Sequence, residues 1–95
     1  MTDRTLLTND ERADLATQLL GWQVDGDHLR CSWAFIDFAE AFAFMAQVAD
    51  IAEALQHHPD WCNSWNRVEI AVTTHSSGGL TRLDLAFAEA VDALL

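Results

Sequence analysis

Basic residues are scarce in this sequence, which has five Lys and Arg against fifteen Asp and Glu and a formal net charge of −10 at pH 7. Proteins that bind nucleic acids depend largely on Lys and Arg contacts with phosphate groups. The charge balance therefore excludes DNA and RNA as expected partners. Acidic residues occur along the whole chain rather than in one tail, which is typical of a solvated and soluble surface.

Cysteine is also rare, since Cys31 and Cys62 are the only two. They are too few and too isolated for a disulfide framework or a Cys-based zinc site, so we expect two reduced thiols. No segment approaches the run of about 20 apolar residues that a membrane-spanning helix requires. The N-terminus lacks the basic start and apolar stretch of a secretory signal. These absences predict a cytoplasmic protein with no membrane partner.

The residues that are present favour a small globular protein. A chain of 95 residues is enough for one domain, and we expect a single domain over residues 1–95. Apolar residues make up 51% of the chain and include four Trp and five Phe, which excludes a disordered protein. So many large apolar side chains in so short a chain favour burial of some of them against a second subunit.

Local patterns predict three helices and four strands. Capping-box patterns at residues 8–11 and 81–84 start the first and last helices, and Gly21 ends the first. Hairpins are predicted around Asp25-Gly26 and Asn66-Arg67. Hairpins rather than crossovers imply an α+β fold of order α-β-β-α-β-β-α, with helices on one face of a four-stranded antiparallel sheet. The strands are expected at residues 22–24, 29–35, 61–65 and 68–74.

The longest predicted helix begins after the capping residue Asp37 and runs to about Gln56, because Pro59 prevents its continuation. Its apolar residues form two stripes, although one stripe is enough to cover a sheet. The helix is either buried on two sides, against the sheet and a partner subunit, or it presents one wide stripe to the core. The stripes are Phe38, Phe42, Met45, Ala49 and Ala52, and Phe44, Val48, Ile51 and Leu55.

The surplus stripe predicts a homo-oligomer, at least a dimer, because exposing it would leave a larger apolar patch than soluble monomers usually have. We expect the contact to include Phe42, Phe44, Met45 or Val48. The strand at residues 29–35 is a second candidate contact if it forms an unpaired edge of the sheet.

Three of the four histidines lie at the ends of predicted elements. His57 and His58 follow the long helix and precede Pro59, and His75 follows the strand at residues 68–74. An unperturbed imidazole has a pKa of about 6.5 and exchanges protons near neutrality. Histidines brought together from different elements indicate a proton-transfer site. The alternatives are separate structural or surface histidines, or a zinc site, for which no further ligand pattern is apparent.

The spacing of these residues resembles the signature of the pterin-4a-carbinolamine dehydratases. It is Glu53-x3-His57-His58-Pro59-x5-Trp65-x9-His75-x8-Asp84. The resemblance covers nearly the whole chain and extends through Phe35-Ile-Asp37-Phe38, Pro59-Asp60-Trp61, Val68-x-Ile70, Thr74-His75 and Gly79-Leu80-Thr81. The departures are Trp65 in place of Tyr, Gln56 where Asn or Asp is common, and Ser77 where some relatives have Cys. None of them removes a proton-transfer group.

The resemblance implies a lyase that dehydrates 4a-hydroxytetrahydropterin to quinonoid dihydropterin. Such an enzyme recycles the pterin after an aromatic amino acid hydroxylase has used it. The reaction protonates the C4a hydroxyl and removes the N5 proton, and imidazoles can serve both steps, each worth about 10²–10⁴ in rate. The pterin is the substrate, and neither a cofactor nor a metal is implied. Relatives form homodimers or homotetramers, so the same is implied here.

By the resemblance, His57 and His75 are the principal acid–base pair, and His58 lines the same pocket. The sequence leaves open which of the pair is the acid and which is the base. In the family, the backbone around residues 74–77 binds the edge of the pterin ring. The implied substrate-binding residues are Glu53, His57, His58, Pro59, Trp61, Thr74, His75, Ser76 and Ser77.

Other residues of the signature have two interpretations. Glu53 lies one helical turn before His57 and is either an imidazole partner or a solvated surface residue. Asp84 matches the signature and is also placed to cap the last helix, so we expect a structural or supporting role. Trp61 and Trp65 are suited to wall a pocket for a flat heterocycle, but core packing is expected for both.

A binding or assembly protein on the same fold is the alternative function, because fold does not determine function. Some relatives act through protein contacts, as dimerisation cofactors of transcription factors or as assembly factors for carbon-fixing enzymes. The intact histidine set favours the enzyme. The acidic composition opposes direct DNA contact but not a protein partner. The sequence leaves open the pterin side chain accepted and the choice between dimer and tetramer.

Overall fold

The computed structural model describes residues 4–95, in which a four-stranded antiparallel sheet carries three helices on one face. This architecture confirms the predicted α+β class and the order α-β-β-α-β-β-α. Residues 1–3, which belong to the N-terminal segment considered for a signal, lie outside the described residues. The elements are α1 (Asn9–Gln18), β1 (Gln23–Asp25), β2 (His28–Ala34), α2 (Phe38–Leu55), β3 (Asp60–Ser64), β4 (Arg67–Val72), a 3-10 turn (His75–Ser77) and α3 (Arg82–Asp92).

Local sequence signals account for the helix ends. The predicted capping boxes are present at the N-termini of α1 and α3, and Asp37 caps α2 by accepting a hydrogen bond from the backbone N–H of Glu40. The chain leaves α2 through Gln56, which has a left-handed backbone conformation with φ of 51°. Within residues 4–95, no helix is both long enough and apolar enough to cross a membrane.

The sheet has the order β1-β2-β4-β3, so β1 and β3 are its edges. β2 pairs along one side with β4, from Leu29 opposite Val72 to Ala34 opposite Arg67. On its other side the short β1 pairs only with residues 28–30. The expectation that residues 29–35 form an unpaired edge is therefore wrong for the start of this segment, where β1 satisfies the backbone groups of β2. Within residues 4–95, no strand pairs with residues 31–34 on that side.

Both hairpin turns lie one residue from their predicted positions. Asp25 pairs with His28, which places the first turn at Gly26 and Asp27, and Gly26 has a φ of 59°. The second turn includes Trp65, whose φ is 49° and whose side chain is 64% exposed. Side-chain hydrogen bonds from Asn63 to the Trp65 carbonyl oxygen and from Asn66 to that of Phe35 hold this turn. The prediction that Trp65 packs in the core is therefore wrong.

Helix α2 places its two apolar stripes in different environments. Phe44 and Val48 are buried in the core of the chain, so their predicted role in a subunit contact is wrong. Phe38 and Phe42 are 47% and 57% exposed, and their ring centroids are 5.7 Å apart. Met45 is partly buried. The sheet needs only one stripe, so Phe38 and Phe42 remain on the surface and available to a partner.

Candidate active site

The end of α2 directs His57 into the interior of the protein. The left-handed conformation of Gln56 reverses the chain, and the backbone N–H of His57 donates to the carbonyl oxygen of Ala52 at 3.0 Å. The His57 side chain is only 6% exposed. Its ring packs edge-on against Phe87 of α3, with a centroid distance of 6.2 Å and an interplanar angle of 82°. The ring is thus fixed between α2 and α3.

A buried carboxylate holds His57 from the other side. Nε2 of His57 lies 2.6 Å from Oδ1 of Asp84, which is fully buried. The other carboxylate oxygen accepts the backbone N–H of Thr81 at 2.9 Å and the hydroxyl of Thr74 at 2.8 Å. These donors compensate the carboxylate for its loss of water. Because an ionised carboxylate only accepts hydrogen bonds, a neutral His57 ring paired with it would carry its proton on Nε2 and leave Nδ1 as an acceptor.

The two threonines extend this network. The hydroxyl oxygens of Thr74 and Thr81 are 2.8 Å apart, and the Thr81 hydroxyl oxygen accepts the backbone N–H of Leu83 at 3.2 Å. Because Thr74 donates to Asp84, Thr81 is left to donate to Thr74. The network joins the end of α2, the segment after β4 and the start of α3. Asp84 therefore combines the predicted helix capping with direct support of His57.

The segment at residues 74–79 presents His75 to solvent. The backbone N–H of Thr74 donates to the carbonyl oxygen of Gly79 at 3.1 Å, and the N–H groups of Ser77 and Gly78 donate to that of Thr74 at 3.0 Å. His75 is exposed on the resulting 3-10 turn. Ser76 is exposed and Ser77 is partly buried. Because Thr74 also bonds Asp84, the base of this segment is tied to His57.

His58 has a separate partner at the surface. Nε2 of His58 lies 2.6 Å from Oε2 of Glu53, and the two side chains are 59% and 73% exposed. Glu53 therefore contacts His58 rather than His57, and it is at the same time a solvated residue. Such an exposed pair orients the His58 ring but contributes little to stability.

The structure brings the predicted site residues together only in part. Within residues 4–95, hydrogen bonds join His57 to Asp84 and His58 to Glu53, and none joins either of these histidines to His75. The connection to His75 runs through Asp84 and Thr74. Trp61, on the edge strand β3, is 37% exposed, so it is not a core residue. Pro59 is partly buried.

Two contacts of the site were not predicted from the sequence. Thr81 was part of the family resemblance and was predicted to cap a helix, but its hydroxyl and backbone N–H also belong to the Asp84 network. His28 belongs to no motif, yet its ring lies 6.5 Å from that of His75 between centroids. His28 begins β2 and His75 begins the 3-10 turn, 47 residues further along the chain, so local sequence patterns do not specify their contact.

One cavity lies away from the histidines. It has a volume of about 490 Å³ and is lined mainly by residues of β2, β3 and β4, among them Arg30, Ser32, Asp60, Cys62 and Glu69. Within residues 4–95, no group of three or more His, Cys, Asp or Glu side chains is arranged to hold a metal ion. Imidazole side chains can transfer protons near neutral pH, and they can form hydrogen bonds together with the neighbouring backbone groups.

Comparison with known proteins identifies a family. The profile described as pterin 4 alpha carbinolamine dehydratase matches residues 5–94. A Synechococcus protein with the provisional name pterin-4-alpha-carbinolamine dehydratase is 52% identical over 95% of this chain and 97% of its own length. A protein of Rhizorhabdus wittichii with the same provisional name is 51% identical over 93% of each chain.

Two solved structures are similar. One is a transcriptional coactivator/pterin dehydratase from Brucella melitensis, with a TM-score of 0.88 and 46% identity over 93% of this chain and 96% of that one. The other is a pterin dehydratase-like protein identified as a RuBisCO assembly factor in the alpha-carboxysome. It has a TM-score of 0.63 and 28% identity over 77% of this chain and 84% of that one.

Proposed function

The chain belongs to the pterin 4 alpha carbinolamine dehydratase family, and from this premise we propose that it dehydrates 4a-hydroxytetrahydropterin to quinonoid dihydropterin. The observation that carries the proposal is the buried His57–Asp84 pair, which is connected through Thr74 to the segment bearing His75. The substrate class follows from the family. The choice of His57 and His75 for the proton transfers follows from the resemblance, and the contacts of His57 support it.

The reaction breaks the C4a–O bond and the N5–H bond, forms a C4a=N5 double bond and releases water. One group must protonate the departing hydroxyl, and another must accept the N5 proton. His57 suits the role of base, because its neutral ring keeps Nδ1 as an acceptor and Asp84 balances the positive charge that forms. His75 then protonates the hydroxyl from the solvent-exposed turn. His58, oriented by Glu53, lines the same site.

The turn at residues 74–79 suits recognition of the pterin ring. The first N–H groups of a helical turn have no partner within that turn. His75 and Ser76 occupy this position, where their amides can pair with the amide-like edge of a pterin. Contacts between main chain and ring would give orientation without a further charged residue. Ser77 and Thr74 support the turn through their own hydrogen bonds.

The physiological setting follows from the same chemistry. The protein acts in the cytoplasm beside an aromatic amino acid hydroxylase, whose 4a-hydroxylated product is its substrate. It needs no cofactor of its own, since the pterin is consumed as the substrate. It works as a homodimer or homotetramer, and the exposed side chains of Phe38 and Phe42 support such an assembly.

A coupled hydroxylase assay tests the proposal. Purified protein is added to a working aromatic amino acid hydroxylase, and the decay of the 4a-carbinolamine is followed by its ultraviolet absorbance. The expected result is a decay rate that rises linearly with protein concentration above the spontaneous rate. A folded protein that leaves the decay rate at the spontaneous value contradicts the proposal.

The second candidate is a protein that binds or assembles another protein. It is favoured by the exposed Phe38 and Phe42 pair and by the similarity to a protein identified as a RuBisCO assembly factor. The intact His57–Asp84 pair favours the enzyme, because a binding protein has no need of a buried imidazole with a charge-balancing carboxylate. Absence of catalysis in the coupled assay would move this candidate to first place.

A further inference from the structure

We propose that His28 is a positioning residue that holds the imidazole of His75 in its working orientation. The inference rests on the proposed role of His75 in dehydration. The two rings form an edge-to-face contact with a centroid distance of 6.5 Å and an interplanar angle of 75°. Aromatic pairs favour this arrangement at centroid distances of about 4.5–7 Å. His28 is not part of the signature spacing that identifies the family.

His75 depends on this contact because little else constrains its ring. It is exposed on a three-residue 3-10 turn, and within residues 4–95 its side chain makes no hydrogen bond. His57 and His58, by contrast, each have a carboxylate partner at 2.6 Å. Contact with the His28 ring limits the rotation of the His75 ring, as the carboxylate partners do for His57 and His58.

The His28 side is the more rigid half of the pair. His28 is partly buried and begins β2, where it pairs with Asp25 across a two-residue turn. The guanidinium of Arg12 donates a hydrogen bond to the carbonyl oxygen of Gly26 in that turn, which joins the turn to α1. Two strands and a helix thus hold the backbone that carries His28.

The turn of this hairpin also lies against the segment that carries His75. A Cβ atom added at Gly79 would lie 3.5 Å from Oδ1 of Asp27 and 3.1 Å from Cδ2 of Leu6. The distance to Asp27 is an ordinary van der Waals contact, and the shorter distance is to the end of the flexible Leu6 side chain. The proximity of Asp27 to Gly79 and the ring contact of His28 with His75 thus place the hairpin turn beside the segment at residues 74–79.

Loss of the His28 ring should reduce the chemical step more than substrate binding, because proton transfer is sensitive to misplacement of the reacting group. The variant His28→Ala is expected to lower kcat about 2- to 10-fold, the range an edge-to-face ring contact supports, with KM nearly unchanged. The variant His28→Phe keeps an aromatic ring and should recover most of kcat. Arg30→Ala is the matched control, because Arg30 lies on the same strand and its exposed side chain bonds Asp25.

A second measurement does not depend on catalysis. The ring-proton resonances of His75 are recorded by NMR in the native protein and in the three variants. A neighbouring ring shifts these resonances, so they should move in His28→Ala, stay close to native in His28→Phe and be unchanged in Arg30→Ala. If the protein lacks dehydratase activity, the proposed function fails, but this measurement still decides the contact.

Three outcomes overturn the inference. One is a His28→Ala protein whose kcat and His75 resonances both match those of the native protein. The other is a His28→Phe protein that loses as much kcat as His28→Ala, which would show that a ring at this position does not position His75. A fall in thermal stability with native kcat in His28→Ala also overturns it, because it would assign His28 to the stability of the hairpin alone.

Discussion

Oδ1 of Asp84 lies 2.6 Å from Nε2 of His57 in the interior of the protein, where Asp84 is 0% and His57 6% exposed. The residues are 27 positions apart in the chain and reach each other from the end of α2 and the first turn of α3. In the proposed mechanism, the carboxylate would hold the proton of the neutral imidazole on Nε2 and balance the charge of the ring when it takes a second proton. This pair is the chemical centre of the proposed site.

Replacing Asp84 with Asn should impair both stability and activity. One amide group cannot accept from His57, Thr74 and Thr81 as the carboxylate does, and it carries no charge to balance an imidazolium. We expect a loss of about 1.5–3 kcal/mol in the free energy of unfolding, typical of a hydrogen bond to a charged group, and at least a tenfold lower kcat. Urea unfolding and the dehydration rate measure the two effects.

The variant Asp92→Asn is the control for this change. Asp92 lies at the other end of α3 and accepts a hydrogen bond from Nε1 of Trp22 at 2.9 Å. Its replacement should cost stability without lowering kcat. Native kcat in Asp84→Asn would show that the carboxylate supports only the fold.

Metal removal should leave the reaction unchanged. The proposed proton transfers use imidazoles and no metal ion. Nε2 of His57 is already hydrogen-bonded to Asp84 and is therefore not free to bind a metal. Dialysis against a strong chelator, followed by the dehydration assay, is the measurement. Activity that disappears on dialysis and returns with zinc would make the metal interpretation the leading one.

The exposed aromatic residues of α2 should form a subunit contact. Light scattering at micromolar concentration is expected to give a particle of at least twice the 10.6 kDa chain mass. Phe42→Ser should shift the mass toward the single chain, because Phe42 is 57% exposed and would lose apolar contact area. Leu20→Ser, at an 83% exposed position outside α2, should leave the mass unchanged. A native particle near 10.6 kDa would refute the assembly.

The two cysteines should differ in reactivity. Burial, followed by the negative charge of Asp92, raises the pKa of Cys31 from its ordinary value to about 11, so Cys31 remains a thiol at neutral pH. Cys62 is exposed. With a thiol reagent at pH 8, we expect one fast reaction at Cys62 and one slow reaction at Cys31 that accelerates as the pH approaches 11. Cys62→Ser should remove the fast phase, and two equally fast thiols would contradict the burial of Cys31.

Structural features that depend on residues close together in the chain were predicted correctly from the sequence. The capping boxes at Thr8 and Thr81 and the cap at Asp37 are local signals, so the helix starts were confirmed. The order of the strands could not be predicted from neighbouring residues. It depends on which strands pair with each other in the folded sheet. The exposure of Trp65 was missed because side-chain hydrogen bonds of Asn63 and Asn66 place it in a turn with positive φ.

The histidine site was predicted as a set of residues but not as a geometry. The signature spacing identified His57, His58, His75 and Asp84, yet it did not show that Asp84 contacts His57 or that Glu53 contacts His58. Asp84 reaches His57 from a different helix, 27 residues away, and the choice of partner among several acidic residues depends on packing. The contact of His28 with His75 likewise joins segments that are distant in the chain.

The most direct test of the proposed proton transfers compares the variants His57→Gln and His75→Gln with the native protein in the dehydration assay. A glutamine at position 57 keeps an N–H donor for Asp84, which preserves the fold, but it cannot transfer a proton at neutral pH. With folding verified by circular dichroism, each variant is expected to lose about 10²–10⁴ of the rate above the spontaneous background. Two folded variants that both retain nearly the full native rate would contradict the assignment of the proton transfers to His57 and His75.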